Sequence, residues 1–398
     1  MGLGITQSTF ITPIRPVVET SDGPDQYFRF VGEMADIPTL GVEEEFLLVD
    51  PESGAPVALN RVVADRAAEL DVELQLELTS CQVETTTDVV DDIDELREHL
   101  VRLRRNVAHA AECAGARLLA VGLPPTLPHD FPVTDTPRYN DIGERFGMIA
   151  HEQGICGCHV HVAVPDRDTA IAASNRLRPW LPFLLALTAN SAIYRNADTG
   201  HASWRSVLWA RWPSAGPPPH FDSADEFDAA VRMLCHSDVI RDDGMVYWDV
   251  RPSKNFPTVE VRVADVPATV AETVVFAALV RGCVMTALDD ERRGAPVLPL
   301  APYALKAAYW KAARNGIDGD GLDLENHGAA PMLGLLEGLV DHVRPALEVA
   351  GDHEFVRTGL ARIAERGNGA TRQRRAWRQR HNVDDVVAAA AAATLEAP

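Results

Sequence analysis

The chain has 398 residues, with 37 Lys and Arg against 58 Asp and Glu, which gives a formal charge of −21. Hydrophobic residues make up 46% and charged residues 24%, an ordinary globular balance, so most of the length can bury a core. The acid excess repels polyphosphates and anionic bilayers, and it excludes nucleic acid and membrane surfaces as expected partners.

Residues 1–37 are polar, contain Pro and Gly and show no period, so they read as a loosely ordered leader. They lack a basic segment followed by an apolar core, and no signal peptide is expected. One domain is expected over 38–398, because neither an internal repeat nor a long linker interrupts it. Six scattered cysteines (Cys81, Cys113, Cys156, Cys158, Cys235 and Cys283) do not form the dense framework of a small secreted domain. A reduced, cytoplasmic protein is expected.

In chain order, residues 41–49 alternate, placing Glu43 and Glu45 on one strand face and Val42, Glu44 and Phe46 on the other. Residues 72–78 set Leu74, Leu76 and Leu78 opposite Glu73, Gln75 and Glu77, and 82–84 resume after a break to reach Glu84. At 91–115, Leu96, Leu100, Leu103, Val107 and Ala111 step by three or four, which predicts a helix closed by Gly115. Residues 159–164 place His159 and His161 opposite Val160, Val162 and Val164. A helix over 168–191, bent at Pro179 and Pro182, follows, and its uncharged part is too short to span a bilayer, which takes about 20 apolar residues. Residues 216–219 make a rigid Gly-Pro-Pro-Pro loop. Residues 258–263 set Glu260 and Arg262 opposite Val259, Val261 and Val263, ahead of a helix at 270–288 and more helices beyond. The class is α+β.

Any one of these strands reads as half-buried with a solvated polar face. Together they do not. Solvated faces favour Thr, Lys and Ser, and like charges across a sheet repel. Here the polar faces carry Glu43, Glu45, Glu77, Glu84 and Glu260, with His159, His161 and Arg262 and no lysine. If the strands share a sheet, protonation or cations must relieve the repulsion, and hard divalent cations prefer carboxylate oxygen. Two Mg²⁺ or Mn²⁺ ions, with arginines left to hold phosphate, make the pattern of a metal–nucleotide site.

GVEEEFLLVD, the Glu77 and Glu84 pair in ELTSCQVETTT, CGCHVHVAVPD, LPFLLALTANS, DTGHASWR, WDVRPS, TVEVRVAD and GATRQR resemble the YbdK-type carboxylate–amine ligases. These are also called glutamate–cysteine ligase type 2, within the glutamine synthetase-like superfamily. The resemblance runs over roughly residues 38–395. It implies an antiparallel sheet curved into a half-funnel, helices on the convex side, and ATP with Mg²⁺ on the concave side. It further implies Glu45, Glu77 and Glu84 as ligands of one metal, and Glu43, His159 and Glu260 as ligands at the nucleotide phosphates. Arg262 would contact the transferring phosphate. Arg251, Lys254 and Arg205 would meet phosphate or a substrate carboxylate, and His161 would reach the nucleotide or serve as a core histidine. The reaction implied is ATP-dependent amide formation, with glutamate as the default acid, cysteine or another amine as acceptor, and small-molecule amino acid and amine substrates as partners. The chain departs from the family pattern at Ala192–Asn196, at His201 and at Cys158.

Cys156 and Cys158 could form a redox pair, but a cysteine beside a buried strand is usually an inert small hydrophobe. Six arginines within 366–380 read as a local anion contact or a solvated helix face in so acidic a chain. There is no GxxxxGK[ST] and no strand-following GxGxxG, so nucleotide binding would rest on metals and arginines. The competing classes are a guanidino-type phosphotransferase, a non-catalytic nucleotide- or metal-binding regulator, and a zinc hydrolase built on His159 and His161. Helical surfaces rich in Ala and Leu would suit a homodimer.

Overall fold

Strands form where alternation predicts them at 41–49, 82–84, 159–164 and 258–263, and only in part at 72–78. The computed structural model describes residues 37–127, 131–152 and 154–396, so the leader expected at 1–37 lies outside the described residues apart from Ile37. In chain order the strands are β1 (Leu40–Val49), β2 (Gln75–Leu76), β3 (Gln82–Thr86), β4 (Arg117–Leu119), β5 (Gly157–Ala163), β6 (Ile193–Tyr194), β7 (Ala197–Asp198), β8 (Val250–Pro252), β9 (Thr258–Asp265), β10 (Asp320–Asp323) and β11 (Gly328–Pro331). Seven of them make one open sheet in the order β2-β3-β1-β5-β9-β8, with β4 paired to the end of β1. All its pairings are antiparallel. The α+β class and the open antiparallel sheet agree with the expectation.

One face of the sheet is apolar and covered by helices. Val42, Val160, Val162, Val259, Val261 and Val263 are each 2% exposed or less, in one cluster with Leu96 and Leu100 and with Val274, Ala277 and Ala278. Leu96 and Leu100 lie on the helix Ile93–Cys113, opened by Asp92, whose carboxylate accepts from Asp94 N and Glu95 N. The other three lie on Val270–Arg292, which starts in a capping box between Thr269 and Glu272. Val270–Arg292 is long and apolar enough to cross a membrane by length and composition, but 78% of its apolar window is buried inside the protein. Burial on all sides explains its all-round apolarity.

Three expectations change. The bent helix of 168–191 is two helices, Arg167–Leu177 and Leu181–Thr188. Pro179 and Pro182 have no N–H to continue the ladder, and Pro182 sits in the first turn of the second helix, where none is needed. The strand expected over 72–78 pairs only at Gln75–Leu76, while Thr79 bridges to Val133 and draws the chain away. Four of the six arginines of 366–380 meet protein carboxylates: Arg372 pairs with Glu272, Arg374 with Asp198, Arg380 with Asp385 and Arg366 with Glu396. These pairs tie the ends of the last helices to the rest of the fold, and none of the four arginines lines the main cavity.

Candidate active site

The register of β1 builds the site. Glu45 stands opposite Glu84 of β3, and Glu43 opposite His159 of β5. His161 stands opposite Glu260 of β9, and Glu260 opposite Arg251 of β8. Two residues of β9, Arg262 and Val263, face His159 alone, a bulge beside the site. Glu77 comes in from the segment after β2. Together these side chains line a cavity of about 270 Å³ on the sheet face away from the core.

The polar contacts form one chain across the cavity floor. His159 Nδ1 lies 2.9 Å from Glu43 Oε2, and its Nε2 lies 3.8 Å from Glu45 Oε1. His161 Nε2 is 3.4 Å from Glu43 Oε1, and its Nδ1 is 3.0 Å from Thr258 Oγ1. Gly157 N donates to Glu45 Oε2 at 2.6 Å. Arg251 donates to both oxygens of Glu260, from Nε at 2.8 Å and from Nη2 at 3.2 Å, and Arg262 Nη1 donates to Glu260 Oε1.

Two electrostatic regimes result. Burial works against ionisation of Glu43, yet His161 and His159 hold its carboxyl well below the usual range. Arg251 and Arg262 do the same for Glu260 against its burial. At the other end, burial and then Glu45 push the Glu77 carboxyl up to about 8. Burial, with Glu43 and Glu77, carries Glu84 well above its ordinary value. Burial and Arg262 lower His159, whereas at His161 burial is opposed by Glu43 and Glu260 together, and its value is raised. Carboxylates crowded until they hold protons are short of positive charge.

Three groups of donor atoms, each within 4.8 Å of one another, mark where that charge would sit: Glu45, Glu77 and Glu84; Glu43, Glu84 and His159; Glu43, His161 and Glu260. The first is the set the resemblance implies. The second implied set is divided, with His161 rather than His159 converging on Glu43 and Glu260. Carboxylate-rich donors with one imidazole suit Mg²⁺ or Mn²⁺ better than Zn²⁺, so the residues present fit the hard cations.

The other expected residues are more dispersed. Arg205 lines the cavity with its side chain 3% exposed, 3.8 Å from Asp265. The Asp265 oxygens already accept from Asn190 N, Ser191 Oγ and Ser203 Oγ, and Arg205 Nε has no hydrogen-bond partner among the described residues. Lys254 sits at the rim with Nζ 2.5 Å from Asp243 Oδ1. The departures at Ala192–Asn196, His201 and Cys158 do not line the cavity, so they do not shape its wall directly.

Sequence reasoning missed the aromatic end of the cavity. Tyr139, Trp209, Trp212 and Tyr247 line it, with Trp209 and Tyr247 ring centroids 4.8 Å apart and Arg138 beside them in an ion pair with Asp242. These residues come from separate loops and short helices, and no periodicity links them.

Cys156 and Cys158 are fully buried, and burial raises both thiols well above their ordinary values. Iodoacetamide is therefore expected to modify exposed Cys113 in the native protein and to reach Cys156 and Cys158 only after denaturation, as read by peptide mass. Native labelling of Cys158 would contradict this.

Comparison with known proteins now decides the family. The model of Glutamate-cysteine ligase family 2 (GCS2) matches residues 39–389. The chain belongs to that family. A Mycolicibacterium vanbaalenii protein whose name assigns it provisionally to glutamate–cysteine ligase 2-2 is 83% identical over 363 residues, covering 91% of this chain and 100% of the relative. A provisionally named glutamate–cysteine ligase 2 of Salinispora arenicola is 48% identical over 357 residues, covering 89% and 92%. Among solved structures, a glutamate–cysteine ligase from Francisella tularensis in complex with AMP aligns with TM-score 0.62 at 15% identity, over 90% of this chain and 89% of that one. A bifunctional glutathione synthetase from Pasteurella multocida aligns with TM-score 0.63 at 15% identity. The alignment covers 90% of this chain but only 52% of that protein, about half its length. At such identities the structures speak for the fold. Membership of glutamate-cysteine ligase family 2 makes the chain a carbon–nitrogen ligase that joins a carboxylate to an amine.

Proposed function

We propose that this member of glutamate-cysteine ligase family 2 forms γ-glutamyl-type amides at the expense of ATP, through an acyl phosphate, with Mg²⁺ or Mn²⁺ at the glutamate cluster. The observation that carries the reading is the convergence of Glu43, Glu45, Glu77, Glu84 and Glu260 on one cavity floor with arginines at one edge. Divalent cations held by Glu45, Glu77 and Glu84 and by Glu43, His161 and Glu260 supply the charge that offsets phosphate oxygens.

In the first step a carboxylate oxygen of the acid attacks the terminal phosphorus of ATP, and ADP leaves. In the second, an amine nitrogen attacks the acyl carbon, phosphate leaves and the nitrogen loses a proton. Arg262, anchored on Glu260, is placed to stabilise the transferring phosphoryl group, and Arg251 holds the same carboxylate from β8. Arg205 is a buried guanidinium beside an already satisfied Asp265, which suits a second carboxylate on the acid. That favours glutamate over a monocarboxylate. The provisional names of the relatives and the AMP held by the Francisella tularensis ligase support the same assignment.

The test is a panel of amino acids and amines with Mg-ATP, following ADP release and product mass. Amide product with glutamate is expected. A phosphorylated product would mark a phosphotransferase, and nucleotide binding without turnover would mark a regulator; either overturns the assignment.

A further inference from the structure

Glu43 and Glu45 flank a third glutamate that points the other way. Glu44 is fully buried on the helix side of the sheet, where its carboxylate meets Arg104 of the helix Ile93–Cys113. Arg104 Nε lies 2.9 Å from Glu44 Oε2 and Nη2 lies 2.5 Å from Oε1, and Thr273 Oγ1 donates to Oε1 at 2.6 Å. The rest of the guanidinium donates to backbone carbonyls: Nη2 to Pro267 O at 2.9 Å, and Nη1 to Ala268 O at 3.1 Å and Thr394 O at 3.3 Å. Its carbon end lies over the Phe46 ring at 5.4 Å. Both side chains are at most 1% exposed.

A buried ion pair is a poor source of net stability, since well-packed apolar residues of the same volume commonly do as well. The best-attested use of such a pair is to choose one arrangement among near-equivalents. Here β1 faces that choice. Val42, Glu44, Phe46 and Leu48 all point into the core, so alternation alone forbids a slip of one residue but permits a slip of two. A slip of two would leave the core face populated while moving Glu45 off Glu84 and Glu43 off His159. Among the described residues only Glu44 offers Arg104 a carboxylate, so only one register satisfies the guanidinium.

We propose that the Glu44–Arg104 pair is a register lock for β1, a pair of positioning residues that sets where Glu43 and Glu45 present their oxygens and thereby sets the affinity of the cation sites. The inference rests on the metal reading of the cavity, and the experiment separates the two. Metal-free full-length protein is titrated with Mn²⁺, with free Mn²⁺ read by its paramagnetic resonance signal, at a temperature where near-ultraviolet dichroism shows every variant folded. Arg104→Lys keeps the charge but loses the fork that spans both carboxylate oxygens. Glu44→Gln keeps the shape but loses the charge. Arg281→Lys is the control: Arg281 is equally buried and pairs with Asp352, Nη2 to Oδ2 at 2.6 Å, away from the cavity.

Arg104→Lys and Glu44→Gln are each expected to weaken Mn²⁺ binding by about 10- to 100-fold, the range for residues that orient metal ligands. Arg281→Lys is expected to lower the melting temperature and leave the Mn²⁺ affinity unchanged. Should Arg104→Lys not fold, Glu44→Gln carries the same test. Wild-type affinity in a folded lock variant overturns the lock, and so does an equal loss in Arg281→Lys, which would make the effect one of general softening. Failure of the unmutated protein to bind Mn²⁺ overturns the metal reading and the lock with it.

Discussion

Replacing Glu43 or Glu84 by alanine is expected to abolish amino-acid-dependent ADP release, with losses of about 10³-fold or more, the upper range for removing one preorganised charge-stabilising group. Each belongs to two of the three donor groups, so one substitution disables two at once. Glu77 belongs to one, and Glu77→Ala should leave measurable turnover. Stability should move the opposite way. Glu84 sits buried among Glu43, Glu77 and Glu45, and burial with those three carboxylates pushes its carboxyl well above the ordinary range. Its removal relieves crowding, and the metal-free Glu84→Ala variant is expected to melt higher than the parent. Near-normal turnover in Glu43→Ala, or a lower metal-free melting temperature in Glu84→Ala, would count against this reading of the cluster. Glu260→Ala should also silence the enzyme, because it removes the carboxylate that anchors both Arg251 and Arg262.

The second large effect is on stability against pH. Glu77 has an ordinary value of 4.5 and stands at about 8 in the folded protein. A raised carboxyl favours the folded state fully below the unfolded value, and the advantage drains away as pH rises toward the folded value. In EDTA the unfolding free energy is therefore expected to fall between roughly pH 5 and 8, by up to about 1.4 kcal/mol per pH unit for one such proton, and the melting temperature with it. Glu84 adds to the slope in the same direction. Excess Mg²⁺ should supply the missing charge, stabilising strongly at pH 8 and little at pH 5. Differential scanning calorimetry across that range, with and without Mg²⁺, decides it. A Glu77→Gln variant with an undiminished slope would show that the cluster does not govern it.

The polar face that carries the candidate site was legible in the sequence because strand alternation has a period of two. Once Val160, Val162, Val259 and Val261 are assigned to a core, Glu43, Glu45, His159, His161, Glu260 and Arg262 must share the opposite face. Glu77 was legible by type but not by element, since its strand survives only at Gln75–Leu76. Tyr139, Trp209 and Tyr247 were not legible, because the cavity wall is assembled from segments with no shared period. Arg104 was hidden for another reason. An arginine among Leu100, Leu103 and Val107 reads as the solvated side of an amphipathic helix, and only the facing Glu44 shows that it points inward. Likewise the arginines of 366–380 read as a local anion contact or a solvated helix face until Glu272, Asp198, Asp385 and Glu396 are placed beside four of them.

The carbonyl of Thr394 that receives Arg104 closes a loop of 290 residues. Thr394 also reaches the residue just after β4, its hydroxyl accepting from Ala120 N at 2.9 Å. During synthesis, β1, β3, β5 and β9 have all emerged well before this last helix, Val383–Thr394, exists. A nascent chain thus displays every carboxylate of the proposed cation sites while its central strand still lacks one of the acceptors that hold Arg104 in place. The late arrival of the C-terminal helix separates the making of the ligands from the making of their geometry. Contacts this distant in sequence form slowly, so the final geometry of the proposed cation sites becomes a late event in the life of the newborn chain.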